Sequence, residues 1–557
     1  MAGLVDATNP VFLTAACLVA LLPWFVRWGM PGKSTRPAVL AAPLALLALS
    51  ALLSLWPSYD PALSLPVLLT LLGSISLFFA IVNTSLSPWL LAKVSVLVAA
   101  ALALYFIGQY AHFNYPAEPE SWQAYVNRAA IAISQPLPRL VFFTPHVNGV
   151  AAFVEGALFI NLVLVWQARG RQKLVWSITL ASIVLALLVS QSRGAWFAVA
   201  LAMGVGVVSS LPAPKLRAVI GLTGVLLLII ASGVFLLWPD VARSRINLYV
   251  DSLYLFSAYP FTGIGLGDTF AMVYSKYHLL INVPFLSYTH NLFLTIGLSL
   301  GILGLLALLW LVLAFFQFVI QVEKAGPPNQ LLFRAAWLGV TAQLGHGFTD
   351  ATRFSNSLWA MPMLFALLAL AVVAGQHNSR NVVNRIQPAR RWVIPAGMGL
   401  LLLAAGWWFG PSGWYANLGA VYQTRADLSP NLDDATRQAL RAQAITCFDR
   451  ALAINPDQPT ANYRLGQMAL EAQNFDQSLI LLARAQARQP DNQAVLKALG
   501  LAYAWTGQLD RAEALLRRRN DLSEVAEELG TWSWWWGTQN RPDLSDYAHQ
   551  MANRLAQ

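Results

Sequence analysis

The chain has 557 residues, of which 57% are hydrophobic and only 11% are charged. An ordinary soluble protein carries about 25% charged residues, so this composition excludes a wholly soluble fold and places most of the chain in lipid. The net charge of +10 does not indicate nucleic-acid binding, because the basic residues lie between apolar segments. Cys17 and Cys447 form neither a disulfide framework nor a metal-binding spacing.

Apolar segments long enough to cross a bilayer recur along the first 410 residues. The first of them lacks a preceding positive region and a clear cleavage site, which favours a retained span over a signal peptide. We therefore predict an all-α polytopic membrane protein with about twelve transmembrane helices. The predicted spans are residues 11–28, 38–56, 63–82, 88–110, 140–167, 174–190, 195–212, 218–238, 290–320, 333–350, 356–375 and 392–409.

Lysine and arginine set the predicted orientation of these spans. They concentrate in five short connections, at residues 30–37, 169–173, 214–217, 322–334 and 378–391. All five fall on one side if the spans alternate, and the positive-inside rule makes that side cytoplasmic. The outer face then carries the N-terminus, the loop 111–139, the turn 191–195, the long loop 239–289, the turn 350–354 and everything after residue 410.

After GWWFGPSGWY (406–415) the composition changes to that of soluble amphipathic helices. Residues 454–482 and 488–516 repeat at an offset of 34, in the pairs Pro456/Pro490, Gly466/Gly500, Phe475/Leu509 and Asp476/Asp510. This period resembles the tetratricopeptide repeat. We predict a transmembrane domain at 1–410 and an outer repeat domain at 411–557, completed by a helix pair (414–453) and capped by a Trp-rich tail (531–557). Such repeats are interaction surfaces, so a protein partner is expected there.

The stretch YTHNLFLTIGLSLGILG (288–304) places His290 and Asn291 where an apolar span begins, with Gly301 and Gly304 further in. Taken alone, a histidine in this position is more often an interfacial residue that caps a helix, and the glycines let helices approach closely. The preceding PFTGIGLGDTF (260–270) is rich in glycine but lacks a strand–helix context, so it does not indicate dinucleotide binding.

Several motifs occur in a fixed order: TPHVNGVAAF (144–153), VSQSRGAWFAVALAM (189–203), RSRINLYVDSLYLFSAYPFTGIGLGDTF (243–270) and the His290–Asn291 segment. Together they resemble the O-antigen ligase and polymerase family, membrane glycosyltransferases that use polyprenyl-pyrophosphate-linked glycan. The resemblance covers about residues 140–375. It departs at Ser299–Leu300, where members often carry an acidic residue, so no carboxylate is assigned there.

The resemblance implies that His290 is the catalytic base and that Arg193, Arg245 and Arg243 bind pyrophosphate. The residue chemistry agrees, because imidazole accepts protons near neutral pH and guanidinium groups bind phosphate without losing theirs. Arg193 lies in a short turn between two apolar helices, where an arginine is costly unless an anion or a cavity accepts it. Alternatively, Arg193 reaches the outer headgroups, and Arg243 and Arg245 lie at the lipid surface.

Further polar residues are candidates for lining the site. Asn291 is expected to orient the imidazole or the acceptor, and Asp350 and Arg353 either line the site or pair structurally. Glu155 faces either an acceptor cavity or a neighbouring helix, while His346 is expected to be a packed helix residue. The site-lining candidates are Asn291, Asn148, Asp350 and Arg353. No cluster has metal-ligand spacing, so we expect metal-independent chemistry without a cofactor.

The resemblance implies a ligase that moves a glycan from a polyprenyl pyrophosphate donor to an acceptor hydroxyl at the outer face of a bacterial inner membrane. The expected partners are that donor, an acceptor on lipid A–core, another glycan or a protein, and membrane lipid. One alternative is a polymerase that joins lipid-linked repeat units; the His–Asn–x9–Gly–x2–Gly spacing favours the ligase. Another is a bicarbonate-type transporter, although transporters usually show paired interrupted helices and internal symmetry, which this sequence lacks.

Overall fold

A computed structural model of the protein describes residues 40–114, 146–211, 239–355, 357–375 and 393–556, with the isolated positions 125, 128 and 132. These residues contain helices and no strand, so the predicted all-α fold class is confirmed. The helices of the membrane part are α1 (Ala41–Leu53), α2 (Pro61–Asn83), α3 (Pro88–Asn114), α4 (Val147–Gln167), α5 (Gly170–Ser190), α6 (Arg193–Ser210), α7 (Pro239–Ala258), α8 (Thr269–Tyr274), α9 (Leu292–Ala325), α10 (Gln330–His346), α11 (Met361–Gly375) and α12 (Val393–Leu428).

Eight stretches among the described residues are long and apolar enough to cross a membrane, which confirms a polytopic membrane protein. They are Pro61–Asn83, Pro88–Gln109, Val147–Gln167, Gly170–Ser190, Arg193–Ser210, Leu292–Ala325, Leu358–Gly375 and Val393–Leu428. Helices α1 and α10 correspond to two further predicted spans but have only 13 and 17 residues. The predicted spans 11–28 and 218–238 lie outside the described residues, so the count of twelve stays a prediction.

Helices α4, α10 and α11 form the centre of the membrane part, and small residues explain how closely they pack. A Cβ atom on Gly339 of α10 would lie 2.6 Å from the carbonyl oxygen of Gly156 in α4. Val150, Val154 and Phe365 are buried there. Burial of such side chains contributes about 1.5–3 kcal/mol each. This packing fixes the start of α4 and the end of α10, next to which the polar residues of the candidate site lie.

Helix α9 is broken at Gly301, whose φ of 69° lies in the left-handed region. The loop before α8 bonds to the backbone freed by this break: Ile302 N donates to Pro260 O at 2.8 Å and Ile264 N donates to Leu298 O at 2.8 Å. A Cβ atom on Gly301 or on Gly263 would overlap the facing backbone. The glycine-rich stretch 260–270 therefore pairs with an interrupted helix, where buried backbone groups need partners.

The predicted outer loop 239–289 is largely ordered secondary structure. It contains α7, α8 and a π-helical turn, Ser275–Leu279. Tyr259, Phe270 and Tyr277 from this segment are buried together with Leu298 of α9 and Ala420 of α12. The segment is thus a helical cap whose apolar residues join the membrane helices to the C-terminal part of the chain.

Helix α12 runs from the last apolar segment into the soluble part, with a kink at Gly410 (φ 61°) just before Pro411. The predicted domain boundary falls at this kink, so one continuous helix crosses the predicted boundary. Its apolar half is exposed, with Leu400, Leu403 and Trp407 on the surface, as expected for a helix that faces lipid.

The soluble part consists of α13 (Asp434–Ile454), α14 (Pro459–Glu471), α15 (Phe475–Arg488), α16 (Gln493–Trp505), α17 (Leu509–Leu516), α18 (Leu522–Thr538) and α19 (Pro542–Ala556). The pair α14/α15 and the pair α16/α17 begin 34 residues apart, at 459 and 493 and at 475 and 509. At both helix crossings a glycine meets a leucine: a Cβ atom on Gly466 would lie 2.7 Å from Leu482, and one on Gly500 would lie 2.6 Å from Leu516.

Candidate active site

The Asp350 carboxylate lies between α10 and α11 and accepts hydrogen bonds from several elements. Asn148 Nδ2, in the first turn of α4, donates to Asp350 Oδ2 at 2.8 Å, and the Tyr288 hydroxyl lies 3.2 Å from the same oxygen. Thr352 contributes its backbone N–H at 2.7 Å and its hydroxyl to Asp350 Oδ1. A buried carboxylate with these donors is held in one orientation.

His290 faces this carboxylate. Its Nδ1 atom lies 3.7 Å from Asp350 Oδ2, longer than a hydrogen bond, and has no hydrogen-bond partner among the described residues. The ring packs on Tyr288 with 4.4 Å between centroids. The His290 side chain keeps 21% of its surface exposed against 5% for Asp350, so a substrate can reach the imidazole but not the carboxylate.

The backbone at His290 is held in an uncommon conformation, with φ 54°. Such a left-handed residue costs about 1–2 kcal/mol and persists only where its surroundings fix it. Asn291 supplies part of that restraint: its Oδ1 atom caps α9 by accepting from Phe293 N at 3.0 Å, and its Nδ2 atom donates to Phe348 O at 3.1 Å. The carboxamide of Asn291 therefore holds the backbone that carries His290 rather than contacting the imidazole.

Tyr249 of α7 contacts the same backbone, because its hydroxyl lies 3.1 Å from both the His290 and the Phe348 carbonyl oxygens. Arg245 lies one helical turn earlier on the same face of α7. Its Nη1 atom is buried and has no hydrogen-bond partner in the described part of the chain. Arg243 is exposed and, two residues away, lies about 200° around the helix from Arg245. The structure therefore brings Arg245, but not Arg243, towards His290.

Arg193 is the first residue of α6, and this end of the helix contacts the turn that follows α10. The Ser192 hydroxyl lies 3.5 Å from His346 Nε2. A Cβ atom on Gly194 would overlap the Thr349 hydroxyl. Arg193 itself is exposed. Its helix end therefore borders the turn that leads directly into Asp350.

Arg353, which was expected either to line the site or to pair with Asp350, is directed into the protein interior. Its Nη1 atom donates to Gln343 Oε1 at 2.9 Å, and its Nη2 atom lies 3.8 Å from Glu155 Oε1. Glu155 also lies 3.0 Å from His346 Nδ1, and the side chains of Glu155, His346 and Arg353 are all buried. Arg353 thus contacts Glu155 and Gln343, and Glu155 faces a neighbouring helix.

The electrostatics of this site follow from these contacts. Burial raises the pKa of the Asp350 carboxyl, but the nearby His290 and His346 imidazoles and the Thr352 donors outweigh it, so the pKa lies below its ordinary value. Burial, with Asp350 adding to it, raises the pKa of the Tyr288 hydroxyl, which stays protonated. Burial also raises the pKa of Tyr249, while the positive charge of Arg245 acts in the opposite direction.

Sequence reasoning missed Tyr249 and Tyr288, which position the site, and the Glu155–His346 pair. Tyr288 directly precedes the His290 segment, and Glu155 is a carboxylate inside a span, so both had a local signal. Tyr249 had only its spacing of four residues from Arg245. No group of three or more His, Cys, Asp or Glu side chains able to hold a metal ion occurs within the described ranges.

Two family models match the chain. Residues 178–309 match the O-antigen ligase model, and residues 440–499 match a tetratricopeptide repeat model. The membrane part therefore carries an O-antigen ligase domain. A search of curated proteins found no match. The ligase match includes Arg193, Arg243, Arg245 and His290, whereas Asp350 lies outside it and joins the site only through the fold.

The two matches confirm the recognised combination of an O-antigen ligase domain with a C-terminal tetratricopeptide domain. In general terms, the ligase match supports a ligase-type glycosyltransferase, and the candidate spans indicate a membrane protein. The matched segment runs from α5 through the first half of α9, so it contains both the helix end of Arg193 and the helical cap.

Proposed function

We propose that the protein transfers a glycan from a polyprenyl pyrophosphate donor to an acceptor hydroxyl at the outer face of the bacterial inner membrane, without a metal ion. The arrangement of His290 carries the proposal: a partly exposed imidazole faces a buried carboxylate, and a guanidinium with an unpartnered nitrogen lies on the adjoining helix. In this proposal the acceptor is a saccharide of lipid A–core, another glycan or a protein side chain.

His290 acts as the general base. Asp350 favours a proton on Nδ1, which leaves Nε2 as the lone-pair nitrogen that takes the proton of the acceptor hydroxyl. The 3.7 Å separation shortens to a hydrogen bond as substrate binds, since catalytic hydrogen bonds are often long in empty sites. The acceptor oxygen bonds to the anomeric carbon, and the bond from that carbon to the pyrophosphate oxygen breaks with its electron pair.

Arg245 and Arg193 stabilise the leaving group. Negative charge grows on the pyrophosphate as the sugar–phosphate bond breaks, and donors fixed in advance around that charge lower the barrier most. The buried Nη1 atom of Arg245 needs an acceptor, and a phosphate oxygen is a suitable one. Arg193 is exposed at the end of a candidate span, at a depth where the headgroup of a lipid-linked donor would lie.

A reconstituted transfer reaction tests the proposal. Purified full-length protein is mixed with polyprenyl-pyrophosphate glycan and with each acceptor class, with and without a chelator. We expect transfer that His290→Ala abolishes and that His549→Ala, a change at an exposed histidine of α19, leaves intact. Full activity of His290→Ala would refute the base assignment, and loss of activity with chelator would refute metal independence.

The products of the same reaction separate the ligase from the polymerase. A ligase joins the glycan to the acceptor and releases polyprenyl pyrophosphate once per product. A polymerase instead forms longer lipid-linked chains with no added acceptor. The matched family is described as O-antigen ligase, and this supports the first outcome.

A further inference from the structure

A small cavity lies where the helical cap meets the repeat domain, away from His290. It has a volume of about 20 Å³, enough for a small ion or for one or two water molecules. Its walls include Arg464 and His278 but no aspartate or glutamate. The lining residues are Tyr254, Leu255, Ser257, Ala258, Tyr277, His278, Thr460, Tyr463, Arg464, Gln489, Asn492 and Ala494.

Arg464 of α14 is the charged group in this cavity, and it is only 1% exposed. Its guanidinium carbon lies 3.5 Å from the centre of the Tyr277 ring, and its Nη2 atom donates to the Tyr259 hydroxyl at 2.8 Å. Ring contacts stabilise the face of a guanidinium. They leave its N–H groups, which point outward in the plane, in need of acceptors.

Those in-plane donors are incompletely used. Nε and Nη1 of Arg464 are buried and have no hydrogen-bond partner in the described chain, and together they carry three of the five N–H groups of the side chain. The carboxylates closest to the aromatic residues around it have other partners: Asp427 pairs with Arg441 and accepts from Tyr277, and Asp251 lies 3.1 Å from His278. Buried charges in proteins are normally paired.

We propose that this cavity binds a small monovalent anion, either chloride or a single carboxylate group, on the free edge of Arg464. The small volume favours a small anion over a phosphorylated sugar, and the absence of lining carboxylates favours negative charge. Thr460 and Gln489 line the same space, and the hydroxyl of the first and the amide of the second can donate to an anion.

The position of this site gives the anion a structural consequence. Its walls come from α7, from the π-helical turn and from the repeat helices. Direct bonds already join these parts: Tyr463 donates to Tyr277 O at 2.8 Å, and Lys497 donates to Leu279 O at 2.7 Å. An anion on Arg464 adds a charge-assisted contact to the interface and so stabilises the docked position of the repeat domain.

Hydrogen exchange on the intact protein in detergent tests the site without any glycan substrate. Chloride or acetate replaces the bulky sulfonate buffer HEPES at constant ionic strength, and exchange is measured in residues 275–280. We expect saturable protection, about tenfold slower exchange at an anion concentration ten times its Kd. The last helix of the repeat domain, Pro542–Ala556, serves as the internal reference and keeps its rate.

Two variants decide whether Arg464 is responsible. Arg464→Met removes the charge, and Arg484→Met removes the same charge from an exposed position of α15. The proposal requires the protection to vanish in the first variant and to remain in the second. If Arg464→Met does not fold, the localised saturation in the wild type carries the test alone. No protection with either anion, or equal protection in both variants, would overturn the proposal; protection by one anion only identifies the ligand.

Discussion

Two of the histidine–carboxylate pairs among the described residues, Glu155 with His346 and His290 with Asp350, differ in ways that separate a structural arrangement from a catalytic one. Glu155 and His346 are 3.0 Å apart and buried, with Arg353 completing the cluster. His290 and Asp350 are 3.7 Å apart, and the imidazole is partly exposed. The first pair joins two membrane helices and is closed to solvent. The second pair leaves an imidazole nitrogen to meet a substrate.

The two pairs also differ in how their backbones are held. His346 lies in the last turn of α10, in regular helix. His290 has a positive φ and is restrained by Asn291 and Tyr249. Strained residues tend to occur where geometry matters for function. The comparison therefore predicts that changes at His290 and Asp350 reduce turnover, whereas changes at Glu155 reduce stability.

The largest expected effect on turnover is that of His290→Gln. Loss of a general base lowers the rate by about 10²–10⁴-fold, while the glutamine keeps a polar side chain in a partly exposed position. The turnover number is measured with purified protein, and the melting temperature of the same sample is the control for folding. A variant that retains more than a tenth of wild-type turnover would show that His290 is not the base.

The largest expected effect on stability is that of Glu155→Ala. Removing one member of a buried charge cluster costs about 3–5 kcal/mol, because Arg353 keeps its buried charge and His346 keeps a buried ring nitrogen without the partner. The midpoint of detergent or thermal denaturation measures the loss, and turnover is normalised to the folded fraction. If Glu155→Ala unfolded like the wild type but lost turnover, the Glu155 cluster would be catalytic and the comparison would be reversed.

A smaller loss of turnover, about 10²-fold, is expected for Asp350→Asn, which keeps the shape but removes the charge that orients His290.

The folded pKa of Asp350 lies below its ordinary value, so its charge stabilises the protein above about pH 4 and that contribution is lost as pH falls through the folded pKa. The stability advantage of the wild type over Asp350→Asn should be full at pH 7 and shrink in strong acid. A constant difference across this range would contradict the assignment.

Local patterns were enough to predict the fold class and the repeat. Apolar runs identify spans by length, and the pairs Gly466/Gly500 and Phe475/Leu509 identify the repeat, because both signals lie within a few tens of residues. The His290 segment was recognised in the same way. These features depend on neighbours in the chain and not on how distant segments meet.

The remaining features depend on tertiary contacts that no local pattern contains. Gly263 pairs with the break at Gly301 across nearly forty residues, and the glycine spacing alone did not reveal the partner. Arg353 was expected near Asp350 because the two residues are close in sequence. The turn that contains Arg353 instead directs its guanidinium group towards Glu155. Asn291 was expected to orient the imidazole or the acceptor, yet its Oδ1 atom caps α9 and its Nδ2 atom donates to Phe348 O.

The smallest effect concerns two arginines that the sequence could not separate. Arg245→Met should lower turnover about tenfold or more, because a charged contact to the leaving group is worth about 1.5–3 kcal/mol. Arg243→Met, the matched control two residues away, should stay within about twofold, since a surface charge away from the substrate contributes little. The ratio is measured at saturating and at limiting donor concentration. Equal losses at both positions would place the pyrophosphate across the start of α7, and no loss at Arg245 would remove α7 from the donor site.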